Sequence, residues 1–257
     1  MQSPSGPSWS SKPTTSWPQR DLWPFTSAAH VIDPGVDRRR QRGGTRGAMS
    51  ISAQPSRPGV IARTAAVVTA LSMTVGRGAA ARVVADLAEV APGDQVVDIG
   101  CGPGTAAREA ARRGATVTGV DPSAVMVNLA RRISRLRRAH HVVWLEGSAE
   151  AVPLCDDRAT VVWALSSVHH WRDRAAGITE ARRVLRPGGR LLLAERLTRP
   201  GARGHAAHGL TPDQATDLAG ELRAAGFIEV STRTQRAGRR TLIVVGGERP
   251  CSGGTSA

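Results

Sequence analysis

Aromatic side chains are scarce in this sequence of 257 residues: Tyr is absent, Phe occurs twice, and all aromatics together make up 3%. Proteins that hold extruded or single-stranded bases stack them on aromatic rings, so the scarcity argues against such a role. It also predicts a core made mainly of Ala, Val and Leu. Hydrophobic residues at 40% and charged residues at 22% are otherwise ordinary for a globular protein.

Cysteines and long apolar runs are also few. Cys101, Cys155 and Cys251 are widely spaced, which predicts neither a disulfide framework nor a zinc site. The most apolar stretch, residues 60–75, is interrupted by Arg63, and the N-terminus lacks the pattern of a signal peptide. We therefore expect no membrane span and a cytoplasmic protein.

The formal net charge of +14 raises the question of an anionic partner such as nucleic acid. Residues 1–48 hold seven Lys and Arg against three Asp, which leaves +10 on the remainder. There the arginines are scattered through helical stretches instead of following one stripe. This pattern favours solvated helix faces over a nucleic-acid footprint.

The composition changes along the chain and predicts its organisation. Residues 1–48 are rich in Ser, Pro, Gly and Arg and have no core-forming period, so we expect disorder there, or a start of translation at Met49. Residues 57–247 are predicted to form one domain. Residues 248–257 are expected to be a disordered tail.

Within that domain, apolar residues recur with helical period over 60–75 and again over 83–90, with a break at Gly76 and Gly78. Strands and helices then alternate, which is typical of a parallel sheet. The predicted fold is α/β, a doubly wound Rossmann-like sheet of seven strands, mostly parallel with a C-terminal antiparallel hairpin. The predicted strands are 95–99, 116–120, 141–146, 160–165, 190–195, 228–233 and 241–245, and the helices between them are 105–113, 123–138, 174–185 and 212–225.

Two further features are turns. Pro187, Gly188 and Gly189 predict a turn that introduces the strand at 190–195. Residues 236–238 predict the turn of the closing hairpin.

A glycine-rich loop follows the first strand and opens a helix. The strand carries Asp98 near its end, and Gly100, Gly102 and Gly104 follow at alternate positions; Asp121 ends the next strand, near the offset at which a carboxylate meets ribose hydroxyls. The spacing differs from G-x-G-x-x-G, and an acid in front of the loop would repel a pyrophosphate. It suits a ligand with an ammonium and a sulfonium group, which favours S-adenosylmethionine over NAD.

Five ordered blocks, 98–105, 120–131, 147–154, 168–171 and 183–190, together resemble class I methyltransferases of the ubiquinone/menaquinone-biosynthesis type over residues 80–246. The resemblance implies that S-adenosylmethionine is the cofactor, that the three loop glycines approach its methionine part and that Asp121 binds both ribose hydroxyls. It places the adenine beside Ser148 and Ala149. The implied cofactor-binding set is Asp98, Gly100, Cys101, Gly102, Gly104, Asp121, Pro122, Met126, Ser148 and Ala149.

The sequence departs from that family at two places. Ser148 stands where the family often has an Asp, and a neutral hydroxyl accepts a weaker hydrogen bond than a carboxylate, so weaker cofactor binding is implied. Residues 159–160 are Ala-Thr where Phe-Asp is common, which leaves the start of the fourth strand open.

Histidines supply the candidate catalytic groups. His169 and His170 follow the fourth strand at the carboxyl edge of the sheet, where either could take a proton from a nucleophile. The alternative is that one packs under the loop and the other lies in solvent. His205 and His208 have a spacing that would permit a metal pair, but no acidic cluster accompanies them, and we predict no metal site.

The expected function is methyl transfer from S-adenosylmethionine to a small-molecule acceptor. We expect the acceptor to be partly apolar, beside His169, His170 and Trp171, under a cover made by the helix at 60–75. Nucleic acid is not the expected partner, but a nucleic-acid (RNA) methyltransferase and a non-catalytic S-adenosylmethionine-binding protein remain alternatives. Nothing in the sequence predicts the oligomeric state.

Overall fold

Alternating strands and helices build the part of the chain that the structure, a computed structural model, describes: residues 77–139, 141–204 and 208–251. The order of elements follows the predicted alternation. The elements are α1 Arg77–Leu87, β1 Gln95–Ile99, α2 Thr105–Arg112, β2 Thr116–Asp121, α3 Ala124–Leu136, β3 Val142–Glu146, β4 Ala159–Leu165, the 3₁₀ turn η1 Val168–His170, α4 Arg174–Val184, β5 Leu185–Arg196, α5 Pro212–Ala224, β6 Ile228–Ala237 and β7 Arg240–Glu248.

The strands form one seven-stranded sheet in the order β3-β2-β1-β4-β5-β7-β6. Neighbours among β1 to β5 are parallel, and β7 is antiparallel to both β5 and β6. The predicted fold class, including the closing hairpin, is confirmed. Because the order reverses between β1 and β4, the loops after these strands diverge to opposite faces and leave a crevice at the carboxyl edge.

Apolar side chains cover both faces of the sheet because its central strands lie between two layers of helices. Successive residues of a strand point to opposite faces. In β4, Val161 and Trp163 join the core cluster that contains residues of α1, α2 and α3, whereas Val162 and Ala164 join the one that contains residues of α4 and α5. The core is rich in Ala, Val and Leu, as the composition requires.

The turn predicted at Pro187–Gly189 takes the form of a bulge inside a strand: Gly188 has a φ of +75°, and the pairing with β4 passes from Leu185 directly to Arg190. These residues lie inside β5, which begins at Leu185, directly after α4. Gly188 N–H donates to the carbonyl of Arg249 at 2.8 Å, and Arg249 N–H donates to the carbonyl of Gly189 at 2.9 Å. Backbone pairing with the chain after β7 therefore holds this bulged Pro-Gly-Gly segment at the edge where β5 meets β7.

The hairpin turn is also displaced from its predicted place. Arg236 and Ala237 were expected in the turn, but they pair with Thr241 and Arg240, so only two residues connect β6 and β7. α1 begins at Arg77 and includes Gly78, which the pattern had assigned to a break.

Several predictions fall outside the described residues: the segment 1–48, the helix at 60–75, His205 and the tail from 252. The domain bounds 57–247 thus stay a prediction. Among the residues that the structure describes, no helix combines the length and the apolar character needed to cross a bilayer.

Candidate active site

The glycine loop connects β1 to α2 through three left-handed residues. Gly100, Gly102 and Gly104 have φ values of +71°, +52° and +79°, a region that side chains disfavour. The N–H groups of Gly100 and Cys101 both donate to the carbonyl of Val120, at 2.8 and 3.0 Å. The loop is thereby fixed to the end of β2.

The three glycines meet different surroundings. A Cβ on Gly100 would overlap the side chain of Ser167, and a Cβ on Gly104 would overlap the indole of Trp144. Among the described residues, a Cβ on Gly102 would have no neighbour closer than an arginine nitrogen at 4.0 Å. Packing within the described domain thus accounts for the two outer glycines, whereas Gly102 meets no such obstacle there.

Asp121 is the group that joins the ends of β1 and β2. Its Oδ2 accepts a hydrogen bond from Gly102 N–H at 2.8 Å, and its Oδ1 accepts one from Ser123 N–H at 2.9 Å. The side chain is buried, yet each carboxylate oxygen has further lone pairs. The carboxylate is therefore preorganised, with capacity left for two hydroxyl donors.

Two charged side chains lie close to this loop. Arg77, which no sequence pattern singled out, approaches Gly102 with its guanidinium, and burial, then the charge of Arg240, lowers its pKa, opposed by Glu195 and Asp98. Asp98 accepts from Ala107 N–H at 3.1 Å, and burial raises its pKa to about 7. A carboxyl group and a guanidinium thus flank the loop near Gly102, and a zwitterionic ligand needs one group of each kind.

Burial of Asp98 predicts a pH-dependent stability of the cofactor-free protein. In the unfolded chain the carboxyl titrates near 3.8, but in the fold it keeps its proton up to about 7. Between these values the folded state binds more protons, so the free energy of unfolding falls as the pH rises. The free energy of unfolding of Asp98→Asn, measured by urea denaturation, should fall less over this interval because an amide does not titrate, while its oxygen can still accept from Ala107 N–H. The charges that face this site, Asp121, Arg108 and Arg77, are the same in both proteins, and parallel pH profiles would contradict the assignment.

Four further residues of the predicted cofactor-binding set, Pro122, Met126, Ser148 and Ala149, gather at the ends of β2 and β3. Met126 lies in the first turn of α3, where its N–H donates to the Ser123 hydroxyl at 3.4 Å. Ser148 and Ala149 follow β3, and Gly147 N–H donates to the Asp121 carbonyl at 3.2 Å, which draws this loop towards β2. Pro122 is exposed between β2 and α3. Cys101 is buried, and burial raises the pKa of its thiol above the ordinary value.

His169 is held by a buried glutamate. Its Nδ1 lies 3.1 and 3.0 Å from Oε1 and Oε2 of Glu195, a side chain with 0% exposure in β5. Glu195 Oε1 also accepts from Val168 N–H at 2.8 Å. Since a carboxylate only accepts, Nδ1 of His169 carries the proton and the lone pair of Nε2 can accept a hydrogen bond.

His170 and His208 lie beside it. The ring centroids of His169 and His170 are 3.9 Å apart, and Nδ1 of His208 is 3.3 Å from Nε2 of His169. Burial, followed by the charges of the other two histidines, lowers the pKa of His170. His169 is half-buried and His170 is exposed, which resembles the alternative that one histidine packs under the loop and the other lies in solvent. The half-buried ring, however, has a carboxylate partner.

Comparison with known proteins gives the family. Residues 97–193 match the model of a methyltransferase domain. The 27-O-demethylrifamycin SV methyltransferase of Amycolatopsis mediterranei (strain S699) is 42% identical over 114 residues, which are 44% of this chain and 42% of that protein. The demethylmenaquinone methyltransferase of Tropheryma whipplei (strain Twist) is 33% identical over 106 residues, 41% of this chain and 43% of its own length. The chain thus spans about two fifths of these curated relatives.

The fold has close counterparts among solved structures. The crystal structure of a SAM-dependent methyltransferase from Aquifex aeolicus has a TM-score of 0.55 at 18% identity, over 65% of this chain and 88% of that chain. The family match spans the glycine loop, the Asp121 strand end and most of β5, so this part of the chain is similar to methyltransferase domains in both sequence and fold.

Proposed function

We propose that the protein transfers a methyl group from S-adenosylmethionine to a small-molecule acceptor. One observation carries this proposal: Asp121 is hydrogen-bonded to Gly102 N–H, and Gly102 is the loop glycine whose Cβ would meet no described atom closer than 4.0 Å. A ribose-binding acid and a surface for close approach are thus joined beside the crevice between β1 and β4.

The residues present fit the cofactor part by part. Gly102 leaves room for the methionine part, the guanidinium of Arg77 suits its carboxylate, and Asp98 suits its ammonium and sulfonium charges. Asp121 would accept from both ribose hydroxyls. The proposed adenine surface consists of Pro122, Met126, Ser148 and Ala149. When bound, S-adenosylmethionine supplies a methyl group on a sulfonium, whose sulfur keeps the electron pair of the broken carbon–sulfur bond.

The acceptor is proposed to bind at the histidines that follow β4. Nε2 of His169 is held there by the bond from Nδ1 to Glu195, which fixes the tautomer and the ring orientation. As a nucleophile such as a hydroxyl bonds to the methyl carbon, its proton passes to Nε2 of His169. The names of the two relatives denote small acceptors, a demethylrifamycin and a demethylmenaquinone, which supports the same class here.

Glu195 acts in this scheme as a positioning residue. His169→Ala should lower kcat by about 10² to 10⁴, the usual contribution of a general base. Glu195→Gln should lower kcat by a smaller factor, because the amide still accepts from Val168 N–H but no longer stabilises the imidazolium. In both variants the KM for S-adenosylmethionine should stay unchanged. The assays contain a metal chelator so that trace metal ions cannot bind to the histidines. A rise in that KM with kcat preserved would place these residues outside proton transfer.

A cluster of arginines supports the nucleic-acid alternative. A cavity of about 400 Å³ opens between α1, α2 and the end of α3. It is lined by five arginines, Arg82, Arg108, Arg112, Arg137 and Arg138. Glu109 lies among them and pairs with Arg112 and Arg113, which lowers the net charge of the surface.

Salt dependence separates the two acceptor classes. Methyl incorporation into total RNA, DNA and a metabolite extract would be followed between about 50 and 200 mM salt, where a many-contact nucleic-acid interface loses affinity by orders of magnitude. We expect incorporation into the metabolite fraction that changes little with salt. A salt-sensitive signal confined to nucleic acid would overturn the acceptor class, and cofactor binding without incorporation in any fraction would favour the non-catalytic alternative.

A further inference from the structure

Three imidazoles meet at the carboxyl edge of the sheet although two segments of the chain supply them. His169 and His170 belong to η1, and His208 precedes α5. One ring nitrogen from each lies within 4.8 Å of the other two. The sequence predicted no metal site because the histidine nearest to His208 in the chain is His205 and no acidic cluster accompanies them. The sequence does not reveal that the chain after β5 returns to η1.

Backbone hydrogen bonds fix the position of the chain next to His208. Leu210 N–H donates to the carbonyl of Arg196 at 2.9 Å, and Thr198 N–H donates to the carbonyl of Leu210 at 2.9 Å. Gly209, directly after His208, has a φ of +148°, and a Cβ there would overlap the Arg196 carbonyl. The chain is thus folded back against the end of β5, the strand that also carries Glu195.

The nitrogen separations suit a metal ion. Two nitrogens bound to Zn²⁺ at about 2.0 to 2.1 Å with a tetrahedral angle are about 3.3 Å apart. Nε2 of His169 and Nδ1 of His208 are 3.3 Å apart, so an ion could replace the proton that they share. A ring nitrogen of His170 lies within 4.8 Å of both, near enough for a side-chain rotation to complete the set.

The surroundings of His169 are those of a metal ligand. A ligating histidine usually donates its other N–H to a carboxylate, which orients the ring and increases its basicity. Nδ1 of His169 has this partner in Glu195, itself fixed by Val168 N–H. A set of imidazoles without a directly ligating carboxylate favours ions such as Zn²⁺, Co²⁺ or Ni²⁺ over Mg²⁺ or Ca²⁺.

We propose that His169, His170 and His208 form a binding site for a divalent ion of the Zn²⁺ class, and that the ion inhibits methyl transfer. The inhibition rests on the proposed function, because the ion would occupy Nε2 of His169, the atom that takes the proton. The site itself does not depend on that function.

Binding is tested on the full chain without cofactor, with Co²⁺ as the probe and Zn²⁺ as its competitor. We expect one Co²⁺ per chain with the visible absorption of a tetrahedral complex, displaced by Zn²⁺. His170→Ala and His208→Ala should each weaken binding more than tenfold, and Glu195→Gln by about 10- to 100-fold. His141→Ala, an exposed histidine just before β3, is the matched control and should bind as the wild type does.

Inhibition is measured separately. Zn²⁺ should lower methyl transfer by the wild type and by His141→Ala, and a chelator should restore the rate. For His208→Ala, inhibition to the same fraction of its own metal-free rate should require a Zn²⁺ concentration more than tenfold higher. Absence of Co²⁺ binding, or binding that His170→Ala and His208→Ala leave unchanged, would overturn the site. If Co²⁺ binds as expected but no methyl transfer is found with chelator present, the proposed function fails and the site stands.

Discussion

Gly104→Ala is expected to lower the free energy of unfolding by about 2 to 5 kcal/mol, a larger loss than the same change at Gly102 should cause. A left-handed backbone costs a side chain about 1 to 2 kcal/mol, and forcing a methyl group into packed surroundings costs about 1 to 3 kcal/mol more. The new Cβ would overlap the indole of Trp144, which is buried and cannot withdraw. Urea denaturation without cofactor measures the loss.

Gly102→Ala is the matched control for that change. Its φ of +52° imposes the same kind of backbone strain, but its Cβ would meet no atom of the described residues closer than 4.0 Å. We expect a loss of only about 1 to 2 kcal/mol in stability, together with weakened cofactor binding because the Cβ enters the space left for the ligand. Equal losses of stability in the two variants would contradict the assignment of Gly104 to packing and Gly102 to ligand approach.

Asp121→Ala is expected to weaken binding of S-adenosylhomocysteine by about 1.5 to 3 kcal/mol, or about 10- to 150-fold, the loss typical of charged hydrogen bonds. The variant also leaves the N–H groups of Gly102 and Ser123 without their acceptor, so some loss of stability should accompany it. Calorimetry well below the midpoint of thermal unfolding measures the affinity alone.

Asp121→Asn provides the control for that substitution. One amide oxygen can still accept while the charge is removed, so we expect an affinity between those of wild type and Asp121→Ala. Binding by Asp121→Ala that equals wild type would remove the ribose site from this residue. The glycine loop would then have to hold the cofactor by other contacts.

Acidic residues at the ends of strands made the candidate cofactor site predictable from the sequence. Asp98 and Asp121 each stand at or next to the end of an apolar run, and the fold brings both to the carboxyl edge beside the glycine loop. Glu195 obeys the same rule, since it follows the apolar residues of β5, and it could have been singled out on this ground. It was missed because none of the five blocks that resemble the family includes the end of that strand.

Contacts between distant segments were beyond prediction. His208 lies 39 positions from His169, and nothing local indicates that the chain returns to η1 after β5. The reason for a glycine at position 104 is equally remote, because Trp144 comes from β3. At Pro187–Gly189 the sequence indicated the local bend, but not that the bend lies inside β5 and is held by pairing with Arg249.

The glycine loop and Asp121 are proposed to hold S-adenosylmethionine and not a dinucleotide. Side-by-side calorimetric titrations of the full chain with S-adenosylhomocysteine and with NAD test this claim most directly. We predict one saturable site for S-adenosylhomocysteine and no binding heat for NAD, because Asp98 beside the loop disfavours a pyrophosphate. Saturable binding of NAD without binding of S-adenosylhomocysteine would contradict it.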